Sequence, residues 1–192
     1  MILAAGSSSR LGFPKQLVEF NGKILLQRMI DLVNSLSFDA KVLVLGSEID
    51  QIKSKIEAEN IEVIVNENWG EGMASSIRVG LAKALELDKE LEHILILLSD
   101  QPLVSKEQIQ KLIDRQITKN SSATFSEYDG DIGVPAIFSN DIFPDLQKLK
   151  GDHGAKKLIY QNDFKYETIQ FEEGNFDVDT KADVELLKNM EK

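Results

Sequence analysis

Two short runs of apolar residues constrain the fold of this 192-residue chain more than any other feature. Residues 41–46 read KVLVLG and residues 93–99 read HILILLS, with few polar residues in either run. A strand that is apolar on every side is typical of a parallel sheet whose two faces are both covered. Between such runs the chain has longer stretches with helical periodicity, for example residues 23–36. This alternation predicts an α/β fold with a mostly parallel sheet.

The order of the predicted elements indicates one layered domain. We predict strands at 2–5, 41–46, 61–65, 93–99 and 165–171, and helices at 23–36, 48–59, 73–86, 105–118, 140–149, 153–161 and 180–190. Residues 123–139 depart from the alternation of strands and helices. They predict a β-hairpin, because Asp129-Gly130 is a typical two-residue turn between two strand-like segments. The expected architecture is therefore a Rossmann-like, three-layer α/β/α domain over residues 1–192, with a β-hairpin elaboration in its second half.

Composition excludes several classes of site. The chain has no cysteine and only two histidines, which excludes disulfides, cysteine nucleophiles, thiolate metal sites and histidine-rich metal sites. The net charge of -10 argues against a general nucleic-acid-binding surface, although a small anionic ligand needs only local positive charge. No apolar run approaches the roughly 20 residues that a membrane-spanning helix needs. We expect a cytoplasmic protein that has neither nucleic acid nor a membrane as a partner.

The stretch GSSSR at residues 6–10 follows directly after the first predicted strand. Gly6 permits a tight turn and a close approach of the backbone to a ligand, and the three serines leave hydrogen-bond donors free. Arg10 and Lys15 add two cations, a combination that suits a triphosphate. The stretch matches neither GxxxxGK[ST] nor GxGxxG. The alternative interpretation is an ordinary strand-to-loop turn with solvated serines.

Acidic residues follow two later elements. Asp100 stands just past the predicted strand 93–99, so its carboxylate is expected at the carboxyl edge of the sheet. Asp177 and Asp179 lie on the same side of an extended segment, and either could join Asp100 as a ligand of Mg²⁺, which takes one or two protein carboxylates together with phosphate oxygens. The alternatives are that Asp100 caps a turn and that Asp179 caps the last helix.

Two further segments contain candidate ligand-binding residues. In residues 66–81, Ser75 and Ser76 open a helix with free donors, and Trp69 is a candidate to cover a base, although a lone tryptophan is more often a packing residue. Residues 149–159 (LKGDHGAKKLI) are a candidate site for a second anionic substrate, whereas His153 is better interpreted as structural or solvent-facing. In α/β folds ligands bind beyond the carboxyl ends of the strands. Four polar clusters fall at those ends, at residues 5–15, 66–76, 99–102 and 176–180, so one pocket can collect all four.

The motifs together resemble a known family. LAAGSSSRLGFPKQL is similar to the pattern LAAGxSxRxGxxK of nucleotidyltransferases that attach a nucleoside monophosphate to a phosphorylated acceptor. NxxWxxGMxxSI…GL, LSDQPLV, GVPAIF, GDxGAKKLI and FDVDTxAD resemble the molybdenum cofactor cytidylyltransferase branch, a MocA-like and MobA-like group that also contains accessory proteins of purine-degrading hydroxylases. The matches span almost the whole chain in the order of that family.

The resemblance implies a nucleotidyltransferase fold and the transfer of CMP from CTP to molybdopterin cofactor, with Mg²⁺ present and pyrophosphate released. LAAG is similar to the cytidylyl branch, although GTP stays open as the nucleotide. By resemblance, the catalytic residues are Arg10, Lys15 and Asp100, and the metal ligands are Asp100 and Asp179. The implied nucleotide-binding residues are Ala4, Ala5, Gly6, Ser7, Ser8, Ser9, Arg10, Lys15, Ser75 and Ser76. The implied second-substrate residues are Gly151, Asp152, Gly154 and Lys156.

Three other functions compete with this interpretation. A sugar-phosphate or alcohol-phosphate nucleotidyltransferase would keep the loop and Asp100 in the same roles and change only the acceptor. A non-catalytic carrier would deliver the cofactor to an apo-molybdenum hydroxylase. A dinucleotide-dependent oxidoreductase is disfavoured, because the three-glycine fingerprint is absent and no acidic residue follows at the expected spacing.

Overall fold

The computed structural model describes residues 1–152, 154–160 and 164–191. Its strands are β1 (Ile2–Ala4), β2 (Glu19–Phe20), β3 (Lys23–Ile24), β4 (Val42–Leu45), β5 (Glu62–Val65), β6 (His93–Leu98), β7 (Ala123–Tyr128), β8 (Asp131–Ser139) and β9 (Tyr166–Gln170). Its α-helices are α1 (Leu25–Asn34), α2 (Ile49–Lys53), α3 (Met73–Leu87), α4 (Lys106–Lys119), α5 (Phe143–Leu146) and α6 (Lys181–Asn189). Short 3₁₀ turns lie at Lys15–Leu17, Trp69–Glu71, Asn140–Ile142, Ala155–Tyr160 and Glu172–Asn175.

Seven strands form one central sheet in the order β5-β4-β1-β6-β8-β7-β9. Strand β1 lies between β4 and β6 and is parallel to both, with Ile2 opposite Leu43 on one side and Leu97 on the other. Strand β8 is antiparallel to both of its neighbours, and the other pairings of this sheet are parallel. The predicted mostly parallel α/β fold is confirmed.

The hydrophobic core lies on both faces of this sheet, as the continuous apolar strands predict. On one face, Val44 and Ile96 pack in a cluster with Leu81 of α3. On the other face, Leu43 packs in a separate cluster that includes Ile30 of α1 and residues of α4. Because alternate residues of one strand enter different clusters, both faces of the central strands are covered by apolar side chains. No helix within the described ranges is long and apolar enough to cross a membrane.

The predicted hairpin is β7–β8, and the structure places it inside the central sheet. Both residues of its turn have left-handed backbone conformations, with φ of 52° at Asp129 and 74° at Gly130, which a two-residue turn of type I′ requires. Strand β8 pairs with β6 along Ile94–Ile96, and Ala136, Ile137 and Phe138 are buried. The predicted hairpin therefore forms and extends the central sheet beyond β6.

Some predicted helices are shorter than expected. The helix predicted from residue 23 begins at Leu25, because Lys23–Ile24 pair with Glu19–Phe20 in a small two-stranded sheet. The helix predicted over 48–59 covers only Ile49–Lys53, and Ile52 is its buried residue, so little tertiary packing supports a longer helix. The helix predicted over 140–149 is a 3₁₀ turn followed by the four-residue α5. That predicted over 153–161 is a 3₁₀ turn at Ala155–Tyr160, and residues 153 and 161 lie outside the described residues.

Candidate active site

A buried glutamine shapes the loop that follows β1. Gln16 is 1% exposed, and its Nε2 donates to the carbonyl oxygens of Ala4 (2.8 Å) and Gly6 (3.2 Å). Ser8 has a left-handed backbone with φ of 52°, and its Oγ accepts a hydrogen bond from the backbone N–H of Lys15 at 2.9 Å. These hydrogen bonds fold the loop back on itself and fix its conformation. The sequence motif did not indicate the role of Gln16, because a buried glutamine and an exposed one look alike in sequence.

The lysine of this loop lies between two distant carboxylates. Lys15 Nζ contacts the carboxylate of Asp100 and lies 2.7 Å from Asp179 Oδ1, while Arg10 Nη2 lies 2.5 Å from Asp179 Oδ2. Burial alone would lower the pKa of Lys15, but the two carboxylates outweigh burial and raise it. Burial would raise the pKa of Asp179, but Lys15 and Arg10 outweigh burial and lower it. Both shifts favour the charged forms of Lys15 and Asp179.

The backbone explains how the two carboxylates meet. Asp100 directly follows the end of β6 and is 7% exposed, and its carbonyl oxygen accepts from the N–H of Val178 at 3.0 Å. This bond holds the segment before α6 against the end of β6. The N-cap of α6 is Thr180, which forms a capping box with Asp183, so the alternative role of Asp179 as the helix cap is not needed. The Asp179 carboxylate is left to face the cleft.

A third carboxylate stands beside these two. Asp177 lines the same cleft, and its pKa is raised to about 7, first by partial burial and then by the neighbouring charge of Asp100. Lys15 and the side chain of Gln101 act in the opposite direction. Because Asp177 keeps substantial contact with solvent, we expect water to moderate this rise in pKa. The arrangement is thus one lysine among three aspartates.

The wall of the cleft opposite this loop is held by the hydrogen bonds of a buried asparagine. Asn66 is 1% exposed, and its Nδ2 donates to the hydroxyl oxygens of Ser75 (2.7 Å) and Ser76 (3.0 Å). The Ser75 hydroxyl donates to the carbonyl oxygens of Gly72 and Asn68. Ser76 lines the cleft, whereas Ser75 is buried behind the wall, so any effect of Ser75 on a nucleotide is indirect. The position of Asn66 directly after a strand was the signal that could have identified it.

The predicted second-substrate residues divide into two groups. Asp152 lines the cleft, and its backbone packs against Gly72, where an added Cβ would lie 2.7 Å from Asp152 Cα. Gly151 and Gly154 are next to this contact but do not line the cleft, and Lys156 instead pairs with Asp131 at the start of β8. The interpretation of His153 falls outside the described residues.

These groups enclose one cleft of about 590 Å³. Among the predicted residues, Ala4, Ala5, Gly6, Ser7, Arg10, Lys15, Ser76, Asp100, Asp152, Asp177 and Asp179 line it, as does Trp69. Ser8 and Ser9 of the loop are not part of its lining. The structure therefore collects all four predicted polar clusters at the carboxyl edge of the sheet, while the roles assigned to the individual residues stay predictions.

The charges of the cleft fit a divalent cation that arrives with phosphate. Two basic and five acidic side chains line the cleft, so a polyphosphate needs added positive charge to enter. Asp100 and Asp179 offer the carboxylate oxygens that Mg²⁺ prefers. In the described ranges, however, no group of three or more acidic or histidine side chains is arranged to hold a metal ion. A cation here would complete its coordination with phosphate oxygens and water.

One curated relative resembles the chain over nearly its whole length, and another resembles about two thirds of it. It is 28% identical over 197 residues to nicotine blue oxidoreductase of Paenarthrobacter nicotinovorans, a match that covers 99% of this chain and 93% of that protein. It is 32% identical over 126 residues to the bifunctional protein GlmU of Desulfitobacterium hafniense (strain Y51), which covers 65% of this chain but 26% of GlmU.

Solved structures share the fold. Rv0371c from Mycobacterium tuberculosis H37Rv has a TM-score of 0.85 and 29% identity, with 98% of this chain and 96% of that chain covered. A structure of Rv0371C in complex with manganese has a TM-score of 0.82 and 27% identity over 98% and 96% of the two chains. The family described as MobA-like NTP transferase domain matches residues 1–166. Because this match covers well over half of the chain, the chain belongs to the MobA-like nucleotidyltransferase family.

Proposed function

We propose that the protein transfers CMP from CTP to molybdopterin cofactor in a Mg²⁺-dependent reaction that releases pyrophosphate. The observation that carries this proposal is the meeting of the loop cations Arg10 and Lys15 with Asp100 and Asp179 in one cleft. Loop cations and two carboxylates at the carboxyl edge of the sheet are what a metal-bound triphosphate requires. The choice of CTP and molybdopterin rests on the resemblance of the sequence motifs.

The reaction needs no covalent intermediate on the protein. A phosphate oxygen of the acceptor forms a bond to the α-phosphorus of CTP, the bond from this phosphorus to the bridging oxygen breaks, and pyrophosphate leaves with the electron pair. Arg10 and Lys15 would hold the phosphates and stabilise the charge that develops on them. The exposed backbone at Gly6 and Ser7 would bind and orient the triphosphate from below.

The two carboxylates have a separate task. Asp100 and Asp179 would hold the divalent cation, which supplies Lewis-acid stabilisation of the phosphate charge when bound. The related Rv0371C was crystallised with manganese, so Mn²⁺ is tested beside Mg²⁺. Asp177 is the alternative ligand, because its carboxylate lines the same cleft.

The part of the cleft near Asp152 is proposed to receive the acceptor. Asp152 lies next to the start of α3 and is the one predicted second-substrate residue that lines the cleft. We infer that the product passes to an apo-molybdenum hydroxylase in the cytoplasm, which is consistent with the absence of a membrane-spanning helix in the described ranges.

Purified protein incubated with CTP or GTP, molybdopterin, and Mg²⁺ or Mn²⁺ tests the proposal, with the dinucleotide product and pyrophosphate measured by mass spectrometry. We expect the cytosine dinucleotide with CTP. Turnover only with a sugar phosphate or alcohol phosphate would assign a different acceptor. Cofactor binding without turnover, retained in Asp100→Ala, would indicate a carrier. Because one relative is named an oxidoreductase, oxidation of NADH and NADPH is measured in parallel, and such oxidation without nucleotidyl transfer would refute the proposal.

A further inference from the structure

An ion pair behind one wall of the candidate active site joins three segments of the chain. Arg78 of α3 forms two parallel hydrogen bonds with the carboxylate of Glu71, from Nη1 to Oε1 at 3.0 Å and from Nη2 to Oε2 at 2.6 Å. Arg78 Nη1 also donates to the carbonyl oxygen of Leu149. A guanidinium that binds a carboxylate through two bonds is fixed in orientation as well as in place. Arg78 therefore ties the turn before α3 to the start of the segment 149–152.

The backbone of the same segment is also held against α3. The carbonyl oxygen of Gly151 accepts a hydrogen bond from the N–H of Ala74 at 3.2 Å, which satisfies one of the donors that the first turn of a helix leaves free. At Gly72, an added Cβ would lie 2.7 Å from the backbone of Asp152, so the two stretches of backbone are in direct contact. The segment therefore cannot approach α3 more closely, and hydrogen bonds keep it from moving away.

The Glu71 carboxylate connects this support to the cleft. Glu71 lines the cleft, whereas Arg78 is not part of its lining. The pKa of the Glu71 carboxyl is lowered first by the hydrogen bonds from Arg78, and the backbone N–H of Gly151 and the charge of Lys150 act in the same direction. Glu71 is thus stabilised as a carboxylate both by α3 and by the segment that carries Asp152.

Asp152 is the residue that this support places in the cleft. It is the one predicted second-substrate residue that lines the cleft. The proposed triphosphate site is supported separately, by Gln16 at the loop after β1 and by Asn66 behind Ser76. The two parts of the cleft therefore depend on different hydrogen bonds.

We propose that Arg78 is a positioning residue for the acceptor. Through its bonds to Glu71 and Leu149 it keeps Asp152 at the part of the cleft where the acceptor binds, without itself touching either substrate. This inference rests on the proposed function, because it concerns the phosphorylated acceptor of that reaction. It also separates the two substrates, since the loss of Arg78 should weaken the binding of the acceptor and spare that of CTP.

Steady-state kinetics with molybdopterin and CTP varied in turn tests the proposal. Arg78→Gln should raise the KM for molybdopterin roughly tenfold, because charge-assisted hydrogen bonds of a partly exposed pair are lost, and should change the KM for CTP by less than about twofold. Arg78→Lys keeps the charge without the two parallel bonds, so its KM for molybdopterin should lie between these values. Arg115→Gln is the matched control, because it removes the same charge from the pair with Glu167, outside the lining of the cleft.

Hydrogen exchange of the free protein, followed by NMR, gives a second measurement that needs no substrate. In Arg78→Gln the amide of Ala74 should exchange roughly tenfold faster as its acceptor Gly151 moves away, while the amide of Leu81 in the middle of α3 should keep its wild-type rate. If Arg78→Gln proves unstable, Arg78→Lys carries both measurements.

The outcomes separate this proposal from the proposed function. An unchanged KM for molybdopterin in Arg78→Gln, an equal rise of both KM values, an equal effect of Arg115→Gln or an unchanged exchange rate at Ala74 would each overturn the role of Arg78. Absence of nucleotidyl transfer by the wild-type protein would instead reject the proposed function itself.

Discussion

Replacing Lys15 by methionine gives the sharpest test of the candidate active site. The Lys15 side chain is 17% exposed and its partners Asp100 and Asp179 are 10% and 31% exposed, so the cluster is largely but not fully buried. Removing one partner of a buried ion pair costs about 3–5 kcal/mol, and of an exposed pair about 1 kcal/mol or less. Because Arg10 still contacts Asp179, we place the loss at about 2 kcal/mol. For a chain of this size, this loss lowers the Tm by roughly 4–8 °C.

The same variant should change the binding of Mg²⁺ and of CTP in opposite directions. In the wild-type protein a cation must displace Lys15 from both carboxylates, so Mg²⁺ alone should bind roughly tenfold more tightly to Lys15→Met. CTP loses a charge-assisted hydrogen bond, which is worth about 1.5–3 kcal/mol, and should bind roughly 10- to 100-fold more weakly.

Thermal shift titrations with Mg²⁺ alone, CTP alone and both together measure these changes. Lys83→Met is the matched control, because it removes the same charge from contacts with Glu62 and Glu86, and none of these three residues lines the cleft. If Mg²⁺ alone stabilises Lys15→Met no more than it stabilises the wild type, Lys15 does not compete with the cation and the reasoning fails.

Three further outcomes are expected. Asp100→Asn should lower the rate of nucleotidyl transfer by about 10²-fold or more without unfolding the protein. Asp50→Asn, on the exposed side of α2, should leave this rate unchanged, and steady-state kinetics measures both variants. At pH 7, Asp179→Asn should have a lower free energy of unfolding in urea than the wild type. This difference should vanish as the pH falls through the lowered pKa of Asp179, because the wild-type carboxylate is then protonated. Asn66→Ala should cost about 1–3 kcal/mol in urea unfolding, since it removes a buried amide that donates to two hydroxyl groups; a loss below about 0.5 kcal/mol would contradict the network described for this wall.

The sequence predicts the layers of the fold well because the layers follow from local patterns. Strands β4 and β6 are apolar on both faces, and such strands exist only inside a covered sheet. The pairing of β8 with β6 was not predictable in the same way, because the turn at Asp129 determines the hairpin but contains no information about which strand the hairpin meets. The length of α2 depends on tertiary packing and was overestimated from periodicity alone.

The buried amides show a second limit. Gln16 and Asn66 hold opposite walls of the cleft through hydrogen bonds to backbone carbonyls and serine hydroxyls. The hydrogen-bond partners of these amides are fixed only once the loop and the helix are in place, so no spacing rule predicts the bonds, even though the position of Asn66 after a strand marks it as a candidate residue. Ser75 illustrates the converse error. Its position at the start of a helix predicts a free donor, but its hydroxyl is already used by the carbonyls of Gly72 and Asn68.

The charged residues of the cleft were predictable as a set but not in their mutual arrangement. Lys15 and Asp179 are 164 positions apart in the sequence. The local motifs predict a phosphate as the partner of Lys15 and a metal ion as the partner of Asp179. In the folded protein they bind each other. A cation and a triphosphate that enter together exchange this internal pair for two external ones, whereas either ligand alone leaves one charge of the pair unmatched. The geometry therefore predicts that metal and nucleotide each increase the affinity of the cleft for the other, by the same factor in both directions.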